Sequence, residues 1–308
     1  MKVLIVCSGN SGHISTFIQD QSDSLHKQGV SIDYYLVLGK GILGYLRNLP
    51  RLKIKINEFN PDLIHAHYGL SGLLATMQRG KKVVITFHGC DINRNILRFL
   101  SWIAHIRAAS SIFVSQKLAK KIKATDSFTI PCGVDINIFK PTDKTTAKKR
   151  LGLCAVKKYI LFSSSFDMPV KNYSLARKSL ERININNIEL VELKGYTREE
   201  VGLLMNACDI ALLTSVREGS PQFVKEAMAC NCPIVSTDVG DVREVIGDTK
   251  GCHITTFEPE DIAEKITMAL DFSEKNGRTQ GRERLINLKL DSETVAGRII
   301  KVYEKVLS

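Results

Sequence analysis

The feature that most constrains this chain is a recurring alternation: a short apolar, β-branched run, then a polar or helical stretch. In the first half the runs are KVLIVCSG, SIDYYLVLG, DLIHAHYG, KVVITFHG, SSIFVSQ and FTIPCGV. In the second they are KYILFSSSF, IELVELKG, DIALLTS, CPIVSTDVG and CHITT. Between the first two, STFIQDQSDSLHKQG carries apolar residues at Phe17, Ile18 and Leu25 and stops at Gly29, the pattern of an amphipathic helix with a C-terminal glycine. TREEVGLLMNACD opens with Thr197 and Glu200 at capping-box spacing. Strands that alternate with helices build a parallel sheet covered on both faces, so the expected class is α/β.

The alternation breaks once, at KPTDKTTAKKRLGL, where proline, threonine and lysine replace the apolar runs. A boundary near residue 140 divides the chain into two Rossmann-like domains, 1–140 and 141–308. Their parallel sheets would face an interdomain cleft, with ligand bound at the carboxyl ends of the strands. A long helix from about Asp291 to Ser308 ends the sequence, placed to pack back on the first domain.

With 44% hydrophobic and 24% charged residues, the 308-residue chain reads as globular rather than disordered. KVLIV is too short for a membrane span or a secretory signal and is followed at once by polar CSGNSGH, so the expected location is the cytoplasm. The eight cysteines contain no C-x-x-C and read as reduced, mostly buried thiols. His65 and His67 in HAH share one strand face, but no third ligand accompanies them, so no metal site is expected.

Residues 1–140 carry a net charge of +10 and residues 141–308 a net of +1. Such asymmetry suits an acidic partner: an anionic membrane surface touched peripherally by the first domain, a lipid diphosphate or an acidic glycan. A well-solvated lysine-rich surface is the plainer reading. Nucleic acid is not expected, because no aromatic platform interleaves the basic residues and no binding motif is present.

Three phosphate-binding plans can be compared: a P-loop, a G-x-G-x-x-G turn and a helix start. SGNSGH (8–13) lacks the lysine and spacing of a P-loop and fails G-x-G-x-x-G. Gly9 and Gly12 either let the backbone approach a ligand or form an ordinary strand-to-helix turn. REGSPQFVKEA (217–227) is better placed. A helix with Pro221 at its first position would aim its free N–H groups and positive dipole end at Gly219 and Ser220. Glu218 would stand beside that mouth and Glu226 more than a turn inside the helix. The set suits a ligand with an anionic centre and hydroxyls at both ends, such as a nucleotide-sugar. Lys171 follows the strand KYILF at a helix entrance, where a cation opposes the helix dipole unless an anion lies nearby. His88 and Asp91 fall in the loop TFHGCDIN, where a histidine is either a proton-transfer group or a structural side chain.

These residues carry a resemblance. EGSPQFVKEAMACNCPIVSTDVGDVREV (218–245) resembles the E-x7-E signature of retaining glycosyltransferases of family 4, which have the GT-B fold. PDLIHAHYG, TFHGCD, IPCGVDINIF and GYTREEVGLLMNACDIALLTS match further stretches of that family in the same order, so the resemblance covers most of the chain. It implies that Glu218 holds hydroxyls of the donor sugar, with Gly219, Ser220 and Pro221 near sugar and phosphates. It also implies that Glu226 binds the ribose, Lys171 the diphosphate, Gly195 and its neighbours the base, and that Gly12 approaches from the first domain. His88 would sit at the reacting centre.

The implied function is metal-independent hexosyl transfer, with retention, from a UDP- or GDP-sugar to a glycan or lipid-linked glycan hydroxyl in cell-surface polysaccharide assembly (capsule or lipopolysaccharide). No cofactor beyond the donor substrate is implied. The family often has an arginine shortly before this lysine, where the present chain has Ser163, Ser164 and Ser165. Either Lys171 then carries more of the diphosphate charge, or another basic residue such as Arg217 helps. A non-catalytic glycan- or nucleotide-binding protein of the same fold, or a nucleotide-sugar epimerase, are the alternatives.

Overall fold

All eleven apolar runs form strands, and every pairing between those strands is parallel. In the computed structural model, which describes residues 1–185 and 187–308, they form a six-stranded and a five-stranded sheet. The chain divides into two units, Met1–Gly133 with Ser292–Ser308 and Val134–Asp291.

The first unit begins β1 (Lys2–Ser8), α1 (Thr16–Lys27), β2 (Ser31–Val37), α2 (Gly41–Leu46), α3 (Leu49–Phe59) and β3 (Leu63–His67). It continues α4 (Gly69–Thr76), β4 (Lys82–Phe87), α5 (Asn95–Arg107), β5 (Ser110–Phe113), α6 (Gln116–Lys121) and β6 (Ser127–Thr129). The strand order is β2-β1-β3-β4-β5-β6, so the order reverses between β1 and β3. Successive residues of a strand point to opposite faces, and β1 shows the consequence. Leu4 and Val6 join one core with Leu52, Leu74 and Ala104. Val3 and Ile5 join another with Leu25 and, from the far end of the chain, Val295, Ile299 and Tyr303.

The second unit begins α7 (Lys144–Arg150), β7 (Lys158–Phe162), α8 (Tyr173–Leu180), β8 (Ile188–Glu192), α9 (Arg198–Ala207) and β9 (Ile210–Leu213). It continues α10 (Gln222–Ala229), β10 (Ile234–Thr237), α11 (Val242–Ile246), β11 (Cys252–Thr255), α12 (Pro259–Asn276) and α13 (Gly281–Asn287). The strand order is β11-β10-β9-β7-β8, with the reversal between β7 and β9. Thr197 and Glu200 form the capping box of α9 read from the sequence.

The units divide at 133/134 rather than near 140. Val134 donates its N–H to Leu290 O at 3.0 Å and bridges to Asp291, and Phe139 is fully buried in the second unit's core. The basic, threonine-rich segment taken for a linker is mostly the surface helix α7, capped by Asp143. The chain recrosses at 291/292 and ends in α14 (Ser292–Leu307), which fills one face of the first unit.

Candidate active site

The strand reversal of the second unit fixes where a ligand can enter, because the crevice of such a sheet opens beside the strands where the order changes. Lys171 follows β7 in a single 3₁₀ turn, Pro169–Lys171, and Glu218 follows β9. Lys171 Nζ donates to Glu218 Oε1 at 2.8 Å, and Ser215 Oγ donates to the same oxygen at 2.7 Å. The anion that justifies a lysine at a helix entrance is thus supplied by the chain itself. Both side chains are about one-fifth exposed (19% and 18%), so the pair is screened only partly from water. Thr214 Oγ1 bonds the carbonyls of Lys171 and Asn172, and Thr237 Oγ1 bonds that of Ser215. The 3₁₀ turn after β7, the segment after β9 and the end of β10 are thereby tied together.

Pro221 is not the first residue of the helix. Its ψ of 119° is extended, and α10 begins at Gln222. Gly240 explains the offset: at φ +59°, a Cβ there would lie 2.7 Å from Gly219 O and 3.3 Å from Pro221 Cδ. The loop after β10 therefore presses on the segment 219–221 through the one residue type that fits. Ser220 Oγ donates to Asp241 Oδ2 at 2.6 Å and accepts from Lys225 Nζ at 3.1 Å. Lys225 is fully buried, and burial pushes the Asp241 carboxyl up while the Lys225 charge pulls it down.

Glu226 lies a full turn inside α10, as its spacing required, and accepts from Arg198 at 2.6 Å. Arg198, the first residue of α9, also lies over the Phe139 ring at 4.6 Å. Gly195 stands three residues earlier in an exposed loop at φ +80°, beside half-exposed Tyr196. Arg217 is exposed, and Ser165 bonds Asp167. Arg198, Lys225 and Asp241 were not singled out from the sequence. The signal for Arg198 was its place at the first turn of a capped helix, and for Lys225 a lysine on the buried face beside Glu226.

The first unit holds His88 and Gly12, both after carboxyl ends of strands. Gly12, at φ +80°, closes a turn onto Gly9 O, and Asn10 clamps that loop to Gly39 by two hydrogen bonds. His88 Nε2 lies 2.9 Å from His67 Nδ1, so one proton is shared between those nitrogens. Its Nδ1 faces Cys132 Sγ at 3.8 Å, and Phe17 and Tyr68 pack on its ring. His65 stacks on His67 and is held by Tyr303 from α14 and by Thr86. Burial lowers the pKa of His67 to about 3 and that of His65 well below the usual histidine range, so both are neutral. Asp91 accepts from Gly89 N at 2.8 Å and Gly69 N at 3.1 Å, fixing the loop that carries His88. Burial still pushes its carboxyl up to about 6. Among the described residues no group of three His, Cys, Asp or Glu side chains could hold a metal ion. The eight cysteines are free thiols, five of them buried.

Two parallel-sheet units, the second carrying a lysine and two glutamates around a helix start, are the architecture that the resemblance to GT-B glycosyltransferases implies. Solved structures agree with the fold. Sucrose-phosphate synthase from Thermosynechococcus elongatus superposes with a TM-score of 0.84 at 14% identity, covering 99% of each chain. Anabaena HepE in complex with UDP-glucose superposes at 0.79 and 17% identity, covering 99% of this chain and all of that one. Residues 2–138 match the family described as Glycosyltransferase Family 4, and residues 171–284 match Glycosyl transferases group 1. The chain belongs to the family 4 glycosyltransferases. The protein named as teichuronic acid biosynthesis glycosyltransferase TuaC of Bacillus subtilis is 27% identical over 243 residues. That match spans 70% of this chain and 62% of TuaC, less than two thirds of the relative's length.

Proposed function

We propose that this chain transfers a hexosyl group from a UDP- or GDP-sugar to a hydroxyl of a lipid-linked or growing cell-surface glycan, with retention at the anomeric carbon. The observation that carries the reading is the pair of ionic contacts flanking the start of α10: Lys171 with Glu218 before it, Arg198 with Glu226 within it. Each carboxylate is held in place by a cation and can accept from ligand hydroxyls with its remaining lone pairs. Glu218 would take the sugar and Glu226 the ribose. The diphosphate would lie between them, against the Lys171 ammonium and the N–H groups that open α10.

In the reaction, the acceptor oxygen bonds to the anomeric carbon as the bond from that carbon to the donor phosphate breaks, and the acceptor proton passes to the departing phosphate. Negative charge grows on the leaving diphosphate, where Lys171 and the helix start oppose it without calling on a metal. His88 would sit at the acceptor or reacting centre, held in place by His67 at Nε2 and by Cys132 at Nδ1. HepE was solved with UDP-glucose, which favours a UDP-sugar, and the name of TuaC favours a surface-polysaccharide acceptor.

The test is thermal shift against UDP-, GDP- and ADP-sugars. A ligand at 100 times its dissociation constant adds about 2.7 kcal/mol of stability if it binds only the folded protein. One nucleotide series should raise the melting temperature, and Glu226→Ala should abolish the rise. Equal shifts in wild type and Glu226→Ala would reject the assignment of the donor site.

A further inference from the structure

Helix α5 carries apolar side chains on its outer side as well as on its core side. Its buried positions are Ser101 and Ala104, whereas Ile96 (75% exposed), Phe99 (61%), Trp102 (42%) and Ile106 (58%) face outward. At 100° per residue those four fall within one stripe on the side away from Ser101 and Ala104. Phe99 and Trp102 stack on each other with ring centroids 6.0 Å apart, so even their mutual contact leaves them in solvent. Helix α2 adds Leu43 (72% exposed) and Ile42 (41%). Both helices pack against α4 and contribute to the same core, which puts them on one side of the sheet, opposite α1 and α14.

Charge identifies the occupant. Between Asp91 and Asp126, the stretch that contains α5 holds seven Lys and Arg and no acid. Between Asp33 and Glu58, the stretch that contains α2 holds five and again no acid. An isologous pairing of two copies would bring these acid-free surfaces together with no carboxylates to offset them. A soluble apolar ligand would leave the cations unused. Aromatic and aliphatic side chains framed by arginine and lysine suit an interface where apolar chains lie under anionic headgroups.

We propose that the outer face of α5 and α2 docks on the surface of an anionic phospholipid bilayer. The apolar stripe enters the headgroup boundary, Trp102 sits at the level where indole rings favour the interface, and Arg94, Arg98 and Lys40 meet lipid phosphates. The inference deepens the proposed function by stating where a lipid-linked acceptor is met. It rests on that reading for its purpose but not for its physics.

The experiment uses the full chain and vesicles of phosphatidylglycerol with phosphatidylcholine, beside vesicles of phosphatidylcholine alone. Trp102 is the only tryptophan in the sequence, so its emission reports this face directly. The expected result is a blue shift and co-sedimentation with anionic vesicles, both weakened by salt. Ile96→Ser/Phe99→Ser should reduce partition at least about tenfold while keeping the reporter, since both side chains are exposed and their removal leaves the core intact. Arg94→Glu/Arg98→Glu should also weaken it, by about fivefold for each positive charge lost. Absence of binding by wild type, or wild-type binding by both variants, overturns the proposal. So does a dimer that Ile96→Ser/Phe99→Ser dissolves in a protein that ignores vesicles. The donor-induced melting shift is measured on the same samples. Vesicle binding without a donor shift leaves the docking face standing and rejects the transferase reading; the converse rejects only the face.

Discussion

The two units share a parallel-sheet plan but place their charge in opposite ways. The second unit holds 23 Lys and Arg against 23 Asp and Glu, and the first 20 against 9, so the entire net charge of +11 belongs to the first. In the second unit ionic groups are brought inward as contacts: Lys171 with Glu218, Arg198 with Glu226, Lys144 with Asp209, and Lys225 through Ser220 to Asp241. In the first, the buried polar cluster is built from neutral histidines, a tyrosine and a threonine, and the positive charge stays outside. A binding site for a defined anion needs fixed, paired groups, whereas attraction to an extended anionic surface needs only an excess of one sign. The sheet is common to both; the disposition of charge on it is what distinguishes the two halves chemically.

The strongest way to separate the units is to truncate after Asp291. That removes Val295, Ile299, Val302, Tyr303 and Val306 from the first unit's core. At about 1.5–3 kcal/mol for each buried side chain, the loss rivals the stability of a whole domain. Hydrogen exchange should show the first unit losing protection while the second keeps it; equal loss in both would merge them into one cooperative body.

Next in size is Glu218→Ala, which removes the group that holds Lys171 and that we propose to hold the sugar. Transfer should fall about 10²–10³-fold, equivalent to about 2.7–4 kcal/mol. Turnover at the wild-type rate would remove Glu218 from the reaction.

Asp91 gives the first unit a pH signature. Its folded pKa, raised to about 6 from the model-compound 3.8, means that the native state holds this proton more tightly than the unfolded chain. Its contribution is therefore present at acid pH and is lost as pH rises from about 4 to about 6, by up to about 3 kcal/mol. Denaturation midpoints of wild type and Asp91→Asn across that range should diverge in slope, the variant lacking this decline. Parallel slopes would assign the decline elsewhere.

The smallest effect is expected from Gly240→Ala in the second unit. A left-handed backbone costs an alanine about 1–2 kcal/mol, and the new Cβ would press on Gly219 O. Donor affinity should drop along with stability. Unchanged affinity in a destabilised variant would detach segment 219–221 from the ligand.

The alternation of apolar runs and helices was enough to read all eleven strands, because a buried parallel strand is written in consecutive residues. The position of Glu226 and the capping box of α9 were legible for the same reason: both depend on spacing along one helix. What escaped was set between distant segments. The division at 133/134 depends on Val134 meeting Leu290, a contact 156 residues apart with no local mark. Pro221 falls outside its helix because Gly240 presses on the preceding turn, and Arg198 reaches Glu226 from another helix. Lys171 meets an anion of the chain itself, and no local pattern named Glu218 as that anion. The exposed stripe of α5 was hidden for a different reason, since apolar periodicity alone does not tell which side of a helix faces the core.

Because α14 completes a unit that begins at the other end of the chain, the order of synthesis matters. Residues 134–291 must be translated before the helix that covers Val3, Ile5, Val84 and Ile112 exists. At about 5–20 residues per second, that interval lasts roughly 8–30 s. During it, the first sheet presents an apolar face covered only in part, by α1, to the crowded surroundings of the ribosome, while the second unit has all the sequence it needs to close. Of these two units, the one whose strands are translated first is thus the one finished last, and a nascent-chain chaperone has its longer task on it.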